Sequence, residues 1–143
     1  MSNGQKEQLA TASDRLIGAQ EKEQKDRDKM NASKKYRAAP DDEGKMSDPA
    51  RPPFATYAAN VRARLASLQE FMNAIDEFAR IQPAGRSLGF FGQIRGNIPG
   101  QIAEQQTLVN DLPRLGEIAE KRRTALGLLG DGESSHYKLP ALF

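Results

Sequence analysis

Few side chains in this sequence have the type and spacing that chemistry asks for. Asp76 and Glu77 are adjacent carboxylates, but helical neighbours one residue apart do not face each other, so they make no acid–base pair. The single imidazole, His136, lies in the C-terminal tail, where it completes neither a serine triad nor a two-histidine metal site. Asp41, Asp42 and Glu43 gather carboxylate oxygens without the alternating ligand positions of a calcium loop. With no cysteine in the chain, disulfides, thiolate nucleophiles and thiolate zinc sites are excluded. Five of the twelve glycines, Gly85, Gly89, Gly92, Gly96 and Gly100, recur at steps of four, three, four and four. No strand precedes them and no lysine–serine pair follows, which argues against a phosphate cradle. The expectation is therefore a protein that is not an enzyme, with no catalytic residues, no metal and no cofactor.

Composition narrows the class further. Hydrophobic residues make up 38% of the 143 positions and aromatics 6%, and the mean hydropathy is -0.68, so part of the chain is expected outside any core. A net charge of +2 arises from 21 cations and 19 anions, a balanced polyampholyte despite a pI near 9.0. The apolar runs fall short of the roughly 20 residues of a membrane span, and the opening MSNGQKEQLA lacks the apolar core of a secretory signal. This reads as a cytoplasmic or virion-associated chain, not secreted by a signal peptide.

One stretch specifies its own structure strongly. From Phe54 to Ile81, the residues Phe54, Ala58, Val61, Leu65, Leu68, Met72, Ile75 and Ala79 follow at alternating steps of four and three. That is a heptad seam, predicting a helix of about 42 Å. Tyr57, Phe71 and Phe78 widen the stripe beyond what a two-stranded coiled coil needs, so this helix requires more than one neighbour. Pro53 fits its start and Pro83 fixes its end.

Around it the chain divides into three regions. Residues 1–53 read as a polar charged arm and proline-rich linker. Glu21 with Lys25 and Glu23 with Arg27 are oriented as favourable helical pairs, while Leu9, Ala12, Leu16 and Ile17 are the early apolar matter and Gly18 interrupts their stripe. The arm is either a fraying, solvated helix or a docking arm that orders on a partner. Pro40, Pro49, Pro52 and Pro53 mark the linker.

Residues 54–127 read as a long helical hairpin in an all-α fold. Its connection is the glycine-rich segment 83–100, which carries Phe90, Phe91, Ile94 and Ile98 with Arg86 and Arg95. Three uses compete for this segment: a connection tucked on the central helix, a subunit contact, and a membrane-inserting tip over residues 85–98. The return helix is expected from about 101 to 126. Pro113 predicts a kink or a restart there, with Asp111 as N-cap. Residues 128–143 form a flexible tail ending in the apolar LPALF.

A hairpin with an over-wide seam asks for protein neighbours. The expected function is a non-enzymatic structural or assembly protein, a homo-oligomer or part of a hetero-assembly, similar in general architecture to small bacteriophage virion components such as tail, connector or ejected internal proteins. The expected partner interface is Phe54, Tyr57, Val61, Leu65, Leu68, Phe71, Met72, Ile75, Phe78, Phe90, Phe91, Leu142 and Phe143. One alternative is a nucleic-acid-binding or regulatory adaptor, with Arg62, Arg64 and the Lys121, Arg122, Arg123 cluster on phosphates. Another is a membrane-interacting protein using the Phe90–Phe91 loop.

Overall fold

The computed structural model describes residues 2–36, 51–82 and 88–129, with side chains as far as residue 125. Three helices account for almost all of them: α1 Asn3–Ala32, α2 Phe54–Ile81 and α3 Phe90–Leu129. The fold is all-α, and α2 and α3 form the expected antiparallel hairpin. His136, Leu142, Phe143 and the acidic triplet at residues 41–43 lie outside the described residues.

Helix α2 has the bounds its heptad predicts. Val61, Leu68 and Ile75 are fully buried and Ala58 nearly so, while Gln82 closes the helix in extended geometry, as a residue preceding proline must.

The first correction concerns the arm. Residues 3–32 are not solvated on all sides; they form a capped helix packed along α2. Ser2 accepts a hydrogen bond from the Gln5 backbone while the Gln5 side chain reaches back to Ser2, a capping box that satisfies two end groups. The buried positions Ala12, Leu16, Ala19, Glu23, Asp26 and Met30 continue at alternating steps of four and three. This is a heptad seam in its own right, and Gly18 does not interrupt it because it points outward into open space.

The second correction concerns the return helix, which begins at Phe90 and takes in most of the glycine-rich segment. Gly89, at φ +57°, supplies the left-handed residue just before it. Gly92, Gly96 and Gly100 admit no close backbone neighbour, since a Cβ at Gly96 or Gly100 would meet nothing within 4 Å and one at Gly92 only the Leu88 side chain; Gly85 lies outside the described residues. The close approach is at Gly116 instead, where a Cβ would sit 3.1 Å from Cε1 of Phe54. Pro99 and Pro113 both lie inside α3. The helix does not restart at Pro113, and Asp111 is no cap, being paired with Arg114 at 2.8 Å. A proline inside a helix costs about 3 kcal/mol; burial of Leu112 against α2, with Leu108, Val109 and Leu115 packed around it, offsets that locally.

The core has two apolar halves. Near one end Leu16, Ala19, Phe71, Ala74, Ile75 and Ile98 cluster, with Phe78, Phe91, Ile94 and Ile102 against them. Near the other, Met30, Tyr57, Ala58, Val61 and Leu112 do the same, with Tyr36 and Phe54 at the margin. Between them lie Leu68 and a set of buried polar side chains.

Candidate functional site

Helices α1, α2 and α3 each send hydrophilic side chains to one level of the bundle: Glu23 and Asp26, Arg64 and Ser67, and Gln105. Glu23, Asp26, Ser67 and Gln105 are all buried, and the Arg64 side chain is 15% exposed. Burying such groups is unfavourable unless each finds a partner, so the pattern of partners defines the site.

Gln105 is the most completely satisfied member. Its amide nitrogen donates to the Val61 carbonyl at 2.9 Å and to Met30 Sδ at 3.2 Å, while its oxygen accepts from Arg64 Nη1 at 2.9 Å. One side chain thereby ties α3 to both other helices. Ser67 donates its hydroxyl to the Asp26 carboxylate, which also receives Lys22 Nζ at 2.8 Å. Burial alone pushes the Asp26 carboxyl up, but the bonds from Lys22 and Ser67, with the charges of Lys22 and Lys29, outweigh it and hold the group below its ordinary value. Glu23 is held less closely, with Arg27 at 3.4 Å and Arg64 at 3.6 Å, both beyond hydrogen-bond length. Arg64 Nε is buried without a protein acceptor.

Two flanking features complete the picture. At the end where α1 stops and α2 starts, Tyr36 stacks on Tyr57 with ring centroids 5.2 Å apart and meets the edge of Phe54 at 5.0 Å. Burial raises both tyrosine hydroxyls above their ordinary value. Towards the opposite end, Arg15 bridges Glu70 at 2.7 Å and also reaches Glu77, and Arg95 holds Asp76 at 2.8 Å. The adjacent carboxylates at 76 and 77 are thus committed to two different helices.

Most of the expected interface is covered by the chain's own α1 and α3. Tyr57, Val61, Leu68, Phe71 and Ile75 are buried, and Phe54, Leu65, Met72, Phe78 and Phe91 are half-buried. Phe90 alone of the described set stands out, at 67% exposure. Arg64, a candidate phosphate contact by sequence, points inward to Gln105, and Arg123 pairs with Glu120. Arg62 is exposed.

Sequence reasoning missed Glu23, Asp26, Ser67 and Gln105 as interior groups. The available signal was the regular spacing from Ala12 through Met30, hidden because two of its members are carboxylates. Among the described residues no three potential metal ligands converge, and no helix is long and apolar enough to cross a membrane. No family model, no curated protein and no solved structure matches the chain.

Proposed function

We propose that the protein is a non-enzymatic structural component that packs against protein neighbours in a larger assembly. The observation that carries this reading is the polar layer. Its charged and amide groups bond one another across three helices, so they fix helix register, a structural use of buried polarity. Phe90 adds an uncovered aromatic ring at the start of α3. The narrower form, a small virion component of the tail, connector or ejected internal type, rests on general architecture alone.

Velocity sedimentation of a gentle extract from the native source tests the proposal. The chain should travel with a particle much larger than itself, unchanged by nuclease and by mild detergent, and Phe90→Ser should weaken its retention. A chain that sediments alone overturns the reading. Loss of the particle on nuclease treatment would replace it with the nucleic-acid adaptor, and loss in detergent with the membrane-interacting form.

A further inference from the structure

Helix α3 contains two prolines, and their surroundings differ. At Pro113 the neighbours hold the helix on both sides of the break. Leu112 is buried with Leu115 packed beside it, a Cβ at Gly116 would touch Phe54, and the Asp111–Arg114 pair spans the proline at 2.8 Å. Around Pro99 five of the six residues from 96 to 101 are exposed, and Ile98 is the one that is buried. Gly96 and Gly100 stand on either side, each in open space. Pro99 also leaves the Arg95 carbonyl without its helical donor. The run GNIPG therefore places three helix-disfavouring residues in one turn that a single side chain anchors.

The segment ahead of this turn is lightly held. Helix α3 opens in a tight turn, with the Phe91 and Gly92 backbones donating to the carbonyls of Leu88 and Gly89, three residues back, at 3.2 and 3.0 Å. Phe91 and Ile94 are half-buried against the cluster of Leu16, Phe71 and Ile75, and Phe90 is uncovered. The charged tether, Arg95 on Asp76, is solvent-facing at both partners, with side chains 32% and 53% exposed, and such pairs hold weakly. Beyond the turn α3 is fixed more firmly, since Gln105 bonds Val61 and Arg64 and Leu112 is sealed against α2.

We propose that residues 96–100 are a hinge and residues 90–98 a flap, which opens as a unit while α3 from Gln101 onward stays on α2. Opening lifts Phe91, Ile94 and Ile98 off Leu16, Phe71 and Ile75. It presents an apolar edge that includes Phe90 and uncovers an apolar groove beneath. The glycines that weaken α3 without a packing reason have a use in this motion, because a stiffer turn would hold the flap shut. The inference goes beyond the assembly reading and concerns the chain by itself.

Hydrogen exchange of the full chain at neutral pH tests the flap. Amides of 91–98 should exchange about tenfold faster than those of 102–112, with the step at the hinge. Pro99→Ala restores the missing donor and should slow exchange over 91–98 by about tenfold or more. Pro113→Ala should leave 91–98 unchanged, since the flap opens without disturbing that turn. The chain has no cysteine, so introduced thiols report the same motion. Ile98 and Leu112 are 1% and 2% exposed, yet Ile98→Cys should react with a thiol reagent about tenfold faster than Leu112→Cys, and adding Pro99→Ala should slow only the first. Uniform protection along α3 overturns the proposal, and so do equal thiol rates. A gradual rise in protection from Phe91 to Ile102, or a Pro99→Ala chain whose 91–98 amides exchange as before, would mean fraying from the end of α3 and would overturn it too. Equal responses of 91–98 to Pro99→Ala and Pro113→Ala would show one cooperative unit with no hinge. None of these measurements involves a partner, so the flap and the assembly reading fall separately.

Discussion

Asp26 and Gln105 show two ways of making a buried polar group tolerable. Gln105 stays neutral and bonds through both ends of its amide, so replacing it would remove the hydrogen bonds that tie α3 to the Val61 carbonyl and to the Arg64 guanidinium of α2. Asp26 stays charged, and its stability contribution depends on pH. A carboxylate held below its ordinary value in the folded chain stabilises the fold above the unfolded value, about 3.9. That contribution is lost as pH falls through the folded-state value. Circular dichroism melts from pH 6 down to pH 2 should show the midpoint falling below about pH 4, and Asp26→Asn should make that fall shallower. An unchanged slope would mean that Asp26 is not among the groups whose protonation loosens α1. None of this was legible in the sequence, where Asp26 is one acid among many in a charged run. Its partner Ser67 lies on another helix, and only the packing brings the two together.

At the level of elements, the sequence is most informative where apolar spacing is unbroken. Helix α2 emerges with its bounds because every seam position from Phe54 to Ala79 is apolar. Helix α1 obeys the same spacing but fills two positions with Glu23 and Asp26, so a search for apolar periodicity sees a short stripe and then a solvated helix. The start of α3 was obscured differently: Gly92, Gly96, Gly100 and Pro99 are all poor helix formers, and packing of Phe91, Ile94 and Ile98 on α2 and α1 overrides their local preference. These glycines therefore weaken α3 without a packing reason. Gly96→Ala and Gly100→Ala should each raise stability in urea by roughly 0.5–1 kcal/mol, the usual helical preference for alanine. Gly116→Leu should lower it by about 1–3 kcal/mol through overpacking, because Phe54 already closes on that position. If all three changed stability in the same direction, the contrast between open and occupied glycine sites would be wrong.

Over the whole molecule, the helices are not equally committed. Helix α2 contributes to both apolar clusters and to the polar layer, with α1 on one side and α3 on the other. Helix α1 touches the rest through a seam in which Leu16 and Met30 are the only large buried apolar side chains. Hydrogen exchange should reveal this order. Amides between Leu16 and Met30 should exchange ahead of those between Val61 and Ile75, by about tenfold if α1 opens some 1.4 kcal/mol below global unfolding. Equal protection along both helices would show one cooperative unit.

The aromatic contact between Tyr36 and Phe54 has a practical bearing on how the protein can be handled. It brings the last residues after α1 and the first residue of α2 within one ring contact, 5.0 Å between centroids. The intervening residues 37–53 therefore join two points that the bundle itself already holds together. Lengthening such a join changes its closure entropy only logarithmically, by about 0.6 kcal/mol for each doubling. A fluorescent reporter or an affinity handle placed within 37–53 would leave the packed helices intact and offer a fixed point from which to track the chain in its native setting.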